Sequence, residues 1–124
     1  MERVRFADLT DIAKRKRILS EMAAGKIFIY PTDTIYGIGC NALVPDAVQS
    51  IRDIKKTDHP FSVIAPSKSW IAGHMVVNFS EFLNKLPGPY TFIMEKKKAD
   101  FLRHACHKPT LGVRMPAHLF TVLV

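Results

Sequence analysis

Hydrophobic and polar positions along the chain switch between a helical period and short β-prone runs, and proline or glycine marks most of the changes. Apolar residues at helix-like spacing predict a helix over residues 8–24. Asp8 or Thr10 is expected to cap this helix, because short polar side chains accept hydrogen bonds from the first free amides. Gly25 is expected to end it, since glycine readily adopts the left-handed conformation.

Similar signals divide the rest of the chain into strands and further helices. Further helices are predicted over residues 45–56, 67–71, 80–86, 100–106 and 117–124, and strands over residues 26–30, 35–42, 61–65, 90–95 and 110–115. Pro31, Pro66 and Pro116 each stop a strand at its C-terminal end. Strands alternating with helices predict an α/β or α+β fold, in which a mixed sheet is flanked by helices.

Composition and charge narrow the class of protein. The 124 residues are 48% hydrophobic, which predicts one domain over residues 1–124 with a core of its own. A net charge of +7 favours polyanionic partners such as nucleotides or RNA. With no secretory signal, no apolar run of about 20 residues and only Cys40 and Cys106 as thiols, a cytoplasmic protein without a membrane segment is predicted.

The candidate chemistry begins in the segment Pro31–Gly39, where polar side chains follow a strand and glycines permit close approach. Arg114 lies inside an apolar strand, where burial of a guanidinium is costly unless it meets an anion. It is expected to bind an anionic ligand, to form a salt bridge to Asp33 or another acid, or simply to lie on the solvent face of the strand. Ligands of open α/β sheets collect outside the carboxyl ends of strands. Thr32, Arg114 and the polar groups near Lys55 are therefore expected to meet in one cleft.

Other kinds of site are not predicted. The chain has neither the glycine-rich phosphate loop nor the dinucleotide-binding fingerprint, which leaves Lys55, Lys56 and Arg114 as the cations for a phosphate. The segment His104–His107 lacks the paired spacing of zinc ligands, so no metal site is predicted. No cysteine or serine has a partner base that would indicate covalent catalysis.

Four ordered blocks resemble the YrdC-like family, the threonylcarbamoyl-AMP synthases. They are Pro31–Gly39, Ile51–Ile64, Leu86–Phe92 and Leu111–His118. The resemblance implies a twisted α/β sheet around a positively charged concave cleft. It also implies that the family continues past residue 124 into a Ser-Ala-Asn motif, so the domain is expected to be incomplete at its C-terminus.

The activity that the resemblance implies is that of a nucleotidyltransferase, L-threonylcarbamoyladenylate synthase. Such enzymes combine L-threonine, bicarbonate and ATP, with Mg²⁺ expected beside the ATP, into threonylcarbamoyl-AMP and pyrophosphate. Transfer proteins then pass the threonylcarbamoyl group to tRNA.

Roles for individual residues follow from the same match. Thr32 would hydrogen-bond the threonine substrate, and Arg114 would bind its carboxylate. The residues that would meet ATP are Lys55, Lys56, His59 and Thr110. Lys55 and Arg114 would act by positioning, with no protein nucleophile. One departure is Lys55-Lys-Thr57, where the family commonly has Lys-x-Arg, because lysine lacks the bidentate geometry of arginine.

Two other functions remain open at this stage. One is a non-catalytic module of the same fold that binds tRNA or double-stranded RNA through the basic cleft. The other is a regulatory domain that binds a nucleotide or threonine. Steep salt dependence would indicate RNA binding, and joint dependence on threonine and ATP would indicate the enzyme.

Overall fold

Two helices open the fold in the computed structural model, which describes residues 2–78 and 80–117. Helix α1 spans Phe6–Thr10 and helix α2 spans Ile12–Ala23. The single helix predicted over residues 8–24 is therefore divided. Asp11 causes the break, because its extended backbone and its side chain, which accepts a 3.0 Å hydrogen bond from the amide of Lys14, begin a new helix. Gly25, with a φ of 104°, follows the end of α2 as predicted.

A small antiparallel sheet follows, made of strand β1, Phe28–Tyr30, and strand β2, Gly37–Gly39. Tyr30 lies opposite Gly37 in this pairing. A Cβ atom added to Gly37 would lie 3.0 Å from the Tyr30 ring, so the glycine makes room for the aromatic side chain. The strand predicted over residues 26–30 is thus present in part, and it is not fully buried, because Ile29 is 62% exposed.

Helix α3, Pro45–Lys55, begins with proline in its first turn as predicted. Ala47, Val48 and Ile51 form its buried face, whereas Ile54 lies exposed. The helix ends at Lys56, whose backbone adopts the left-handed conformation with a φ of 51°. The predicted end near residues 55–57 is thus confirmed.

The main sheet has three strands in the order β3-β5-β4. Their bounds are Val63–Ile64 for β3, Thr91–Glu95 for β4 and Thr110–Arg114 for β5. Strand β3 runs parallel to β5 and β4 runs antiparallel to it, which confirms a mixed sheet. Helix α4, Lys68–His74, is capped by Ser67 and extends past the helix predicted over residues 67–71, and a 3₁₀ helix spans Ser80–Lys85.

One face of the main sheet packs into the core and the other stays open. The core side chains are Val63, Ala65, Ile71, Met75, Leu86, Met94, Ala105, Cys106, Leu111 and Val113. Alternation along β5 directs Thr110, Gly112 and Arg114 to the open face. Ile93 of β4 is 79% exposed, as expected for a position on that open face.

The helix predicted over residues 100–106 is wrong, because this segment forms hydrogen-bonded turns. Leu102 has a φ of 47°, which a right-handed helix does not allow. The turns bring Ala105 and Cys106 into the core, where the buried Lys96 donates a 2.6 Å hydrogen bond from Nζ to the carbonyl of Cys106. The helix predicted over residues 117–124 falls almost entirely outside the described residues.

Among the residues that the structure describes, no helix has both the length and the apolar character needed to cross a membrane.

Candidate functional site

All four sequence blocks meet at the carboxyl end of β5, where Ile64, the last residue of the second block, pairs with Arg114. The guanidinium of Arg114 lies 3.5 Å from Oδ1 of Asp33, which belongs to the Pro31–Gly39 block. The other oxygen of Asp33, Oδ2, accepts a 3.0 Å hydrogen bond from the amide of Ala117. Gly88 donates a 2.9 Å hydrogen bond from its amide to the carbonyl of Met115. The blocks around Asp33, Gly88 and Arg114 are therefore one cluster in space.

Arg114 and Asp33 form a close pair of opposite charges without an optimal hydrogen bond. Their side chains are 23% and 14% exposed. Nε of Arg114 and Oδ1 of Asp33 are buried atoms without a hydrogen-bond partner among the described residues. A guanidinium binds a carboxylate through paired donors, and the buried Nε would have to become accessible before it could take part. The salt bridge to Asp33, one of the alternatives for Arg114 in the sequence analysis, is present. The role of Arg114 in binding a ligand stays a prediction.

Thr32 uses its hydroxyl group within its own turn. Oγ1 accepts hydrogen bonds from the amides of Thr34, at 3.1 Å, and Ile35, at 3.2 Å. The same hydroxyl donates to the carbonyl of Ile35 at 2.5 Å. One donor and two acceptor positions are all that a hydroxyl offers, so a ligand contact from Thr32 requires this turn to open. The predicted contact of Thr32 with threonine stays a prediction.

Tyr30 is a site residue that the sequence reasoning did not single out. Burial raises the pKa of its phenol, while the positive charge of Arg114 acts in the opposite direction. Tyr30 is therefore within the range of the electrostatic interaction with Arg114. Its position directly before Pro31, at the carboxyl end of a strand, is the signal that was available in the sequence.

The predicted ATP residues lie toward the opposite end of the main sheet. Lys55, Lys56 and His59 are exposed around the end of α3, and Thr110 begins β5. Thr110 and Arg114 share the open face of β5, about 13 Å apart at a rise of about 3.3 Å per residue. Lys55 does not lie at the carboxyl ends of the strands as expected, because α3 precedes β3 and so approaches the amino end.

Arg52 was also missed, although it makes the most extensive polar contacts near these cations. Its Nη1 donates a 2.6 Å hydrogen bond to the carbonyl of His59. Its Nη2 donates to the carbonyls of His104, at 2.9 Å, and Ala105, at 2.8 Å. The guanidinium also lies 4.3 Å from the centre of the Phe61 ring. These partners are up to 53 residues away in sequence, which is why helix spacing gave no signal.

The described part of the chain shows neither a cluster of metal ligands nor an activated thiol. Within residues 2–78 and 80–117, no three His, Cys, Asp or Glu side chains come together as metal ligands would. His104 and His107 are exposed, whereas Cys106 is buried and donates from Sγ to the carbonyl of Thr110. Burial raises the pKa of the Cys40 thiol, which lowers its thiolate fraction and its reactivity.

Two shallow cavities lie away from the clustered motifs. One, of about 230 Å³, is lined by Leu19, Met22, Ala23, Phe28, Cys40 and Asn41. The other, of about 270 Å³, is lined by Ala42, Leu43, Asp100, Leu102, Arg103 and His104. Neither contains Arg114 or Lys55. The open face of the main sheet, rather than an enclosed cavity, carries the candidate site.

Known proteins similar in sequence to this chain belong to one family. Residues 20–124 match the Sua5/YciO/YrdC family, which is described as "Telomere recombination". A threonylcarbamoyl-AMP synthase of Bos taurus is 30% identical over 106 residues, which are 82% of this chain and 38% of the bovine protein. A relative from Methanocaldococcus jannaschii, to which the same name is given provisionally, is 36% identical over 112 residues, or 83% of this chain and 53% of its own length.

Solved structures agree with this match. Pyrococcus abyssi Sua5 in complex with L-threonine superposes with a TM-score of 0.75 at 28% identity, over 98% of this chain and 36% of that one. Escherichia coli YciO superposes with a TM-score of 0.73 at 25% identity, over 86% of this chain and 55% of that one. The chain thus spans about half or less of the length of the curated relatives described above. By sequence and by fold, the chain belongs to the Sua5/YciO/YrdC family.

Proposed function

We propose that this chain carries the substrate-binding sheet of an L-threonylcarbamoyladenylate synthase. In this reaction the amine of L-threonine and bicarbonate form a carbamate with loss of water. A carbamate oxygen then attacks the α-phosphorus of ATP, and the bond to the β,γ-phosphates breaks to release pyrophosphate. The reaction needs positioning and charge neutralisation rather than a protein nucleophile, which suits a site without an activated thiol.

The observation that carries the proposal is the half-buried Arg114 at the carboxyl end of β5, where the four sequence blocks meet. A planar guanidinium binds a carboxylate through two parallel hydrogen bonds, and Nε of Arg114 has no such partner among the described residues. The relative from Pyrococcus abyssi was crystallised with L-threonine. We therefore assign the threonine carboxylate to Arg114, and we assign Thr32 to the same subsite through the turn that it closes.

The ATP assignment rests on the exposed cations at the end of α3. Lys55 and Lys56 would neutralise the phosphates, His59 would contact the nucleotide, and Thr110 would lie along it at the start of the open β5 row. The open row between Thr110 and Arg114, about 13 Å long, would let the two substrates lie end to end.

Mg²⁺ is better assigned to ATP than to the protein. The candidate phosphate-binding side chains are two lysines and a histidine, and Mg²⁺ prefers carboxylate, water and phosphate oxygens. Within the described ranges no cluster of three His, Cys, Asp or Glu side chains is present. In the proposed reaction Mg²⁺ would therefore arrive with the ATP phosphates. The product would pass to threonylcarbamoyl-transfer proteins that modify tRNA in the cytoplasm.

Replacing Arg114 tests the proposal. We expect Arg114→Lys to weaken L-threonine binding by about tenfold or more, because one ammonium cannot form the paired hydrogen bonds of a guanidinium. ATP binding should change little, since Thr110, at the start of the same strand, lies about 13 Å from Arg114. Calorimetric titration of each ligand, with a pyrophosphate-release assay, gives both numbers. Lys98→Ala, on an exposed loop position outside the site, is the control.

The other outcomes of this titration are equally informative. Unchanged threonine affinity in the Arg114→Lys chain would remove the assignment of that residue. If neither ligand binds the unmodified chain, the net charge of +7 makes a non-catalytic module for tRNA or double-stranded RNA the better account. RNA affinity that falls steeply with salt would support that module.

A further inference from the structure

The end of α3, the loop after it and the turns before β5 all meet at one guanidinium. Arg52 contributes three hydrogen bonds, to the carbonyls of His59, His104 and Ala105. Carbonyl groups in turns are obligatory acceptors, and a charged donor satisfies them more strongly than a neutral one. Arg52 therefore holds two segments that are far apart in sequence.

Phe61 completes this cluster from a third direction. The Arg52 guanidinium lies 4.3 Å from the centre of its ring, and Nζ of Lys55 lies 5.8 Å from the same centre. The amide of Phe61 donates a 2.9 Å hydrogen bond to the carbonyl of Ala105. The loop that carries His59 thus runs from Lys55, which lies over the ring, to Phe61 itself. Both ends of the loop are anchored within reach of Arg52.

Local hydrogen bonds fix only the start of the loop, where the amides of Lys56 and Thr57 donate to the carbonyl of Arg52, the latter at 3.2 Å. Within it, the amide of His59 donates a 3.1 Å hydrogen bond to Oγ1 of Thr57. Lys56 holds a left-handed backbone with a φ of 51°, which is unfavourable for a side-chain-bearing residue unless its surroundings fix it. Lys55, Lys56 and His59 are otherwise exposed.

We infer that Arg52 is a positioning residue for the nucleotide subsite, since it fixes the loop of Lys55, Lys56 and His59 against the turn that leads into Thr110. The inference rests on the proposed function, because it takes those residues as the ones that meet ATP. Arg52 itself spends three of its five donors on carbonyl groups. Arg52 therefore acts on the ligand only through the loop. At residue 57, where the family commonly has the arginine of Lys-x-Arg, this loop carries a threonine.

Arg52→Lys is the variant that tests this role. Lysine keeps the charge but cannot reach three carbonyls with a planar fork. We expect ATP affinity to fall by about tenfold and L-threonine affinity to change by less than twofold. Hydrogen exchange should accelerate at residues 57–61 and 104–106 and stay unchanged in β4. Arg103→Lys, an exposed arginine in the adjacent turn, is the matched control and should leave both affinities unchanged.

A second variant separates positioning from general stability. In Arg52→Ala, millimolar guanidinium added to the buffer should restore part of the ATP affinity, because the vacated space accepts the missing group. A loss of both ligands together with a uniform rise in exchange would overturn the inference and make Arg52 a general stabilising residue. Unchanged ATP affinity in Arg52→Lys would overturn it as well.

The same data distinguish failure of the proposed synthase function from failure of the inference about Arg52. If the unmodified chain binds no ATP while exchange at residues 57–61 still depends on Arg52, the synthase proposal fails and the contacts of Arg52 stand. In that case the nucleotide role of Arg52 is also excluded. If the unmodified chain binds ATP, the comparison with Arg52→Lys decides the inference alone.

Discussion

Asp33 connects the loop between β1 and β2 to the carboxyl end of β5 in the main sheet. Oδ2 binds the amide of Ala117 and Oδ1 faces Arg114 at 3.5 Å, so one carboxylate holds two parts of the carboxyl edge. Because Oδ1 has no hydrogen bond within the described residues, it limits the swing of Arg114 by charge rather than by a directed bond. Turning this guanidinium toward a ligand carboxylate would therefore weaken its charge interaction with Asp33.

Tyr30, next to this pair, gives the chain a pH dependence in the alkaline range. Burial raises the pKa of its phenol, so the folded chain holds the proton more tightly than the unfolded chain. The stability from this group is fully present below the unfolded pKa of about 10 and is lost as the pH rises through the folded pKa. We expect Tyr30→Phe to lose less unfolding free energy between about pH 8 and about pH 10.5.

Urea unfolding of both chains at these two pH values measures the difference. Burial also raises the pKa of Cys40, which acts in the same direction, but that residue is common to both chains and its contribution cancels. Equal losses in the two chains would show that Tyr30 is not the titrating group.

At the level of elements, Gly112 sets the closeness of β5 to its two neighbours. A Cβ atom at this position would lie 2.5 Å from Oγ and 3.2 Å from Cβ of Ser62, and 3.4 Å from Cγ2 of Thr91. We expect Gly112→Ala to lower the free energy of unfolding by about 1–3 kcal/mol, since the side chains beside it must shift. Thermal and urea unfolding give the value.

Two companions make the Gly112 result specific. Gly73→Ala is the matched control, because a Cβ atom there would meet nothing within 4 Å and α4 would gain helix propensity. Ser62→Gly combined with Gly112→Ala should recover most of the loss. If the double variant is as unstable as Gly112→Ala alone, contact with Ser62 is not the cause.

Elements whose ends depend on local chemistry could be predicted from the sequence. Pro45 in the first turn of α3, Ser67 as the cap of α4 and Gly25 after α2 act through neighbours only a few residues away. The turns at residues 100–106 could not be predicted, because their course depends on a hydrogen bond from the buried Lys96 and on a left-handed Leu102.

The candidate site divides in the same way. The sequence blocks indicated that residues near Asp33 and Arg114 belong together. The sequence analysis also named a salt bridge to Asp33 as one alternative for Arg114. It did not indicate Arg52, whose three acceptors lie 7, 52 and 53 residues away. The sequence prediction also placed Lys55 wrongly, although the order of elements was available, because a helix that precedes a strand ends near the amino end of that strand.

Over the whole molecule, burial is concentrated in the part of the chain that builds the main sheet. All residues of the core cluster lie between Val63 and Val113, whereas α2 has no buried residue. The N-terminal part joins the rest through few contacts, among them the hydrogen bond from Asn41 to the carbonyl of Ala23 at 2.9 Å and the pair of Asp33 with Arg114. Segments with little buried apolar surface open at lower free energy.

We therefore expect amides of α2 to exchange by local opening, well before those of β5. Ile71→Ala, at a fully buried position in α4, should lower the global free energy of unfolding by about 2–5 kcal/mol. In native-state hydrogen exchange this change should accelerate β5 amides strongly and α2 amides little, because opening of α2 does not expose Ile71. If α2 and β5 accelerate equally, the two parts unfold as one cooperative unit, and the contacts at Asn41 and Asp33 couple them more tightly than their burial indicates.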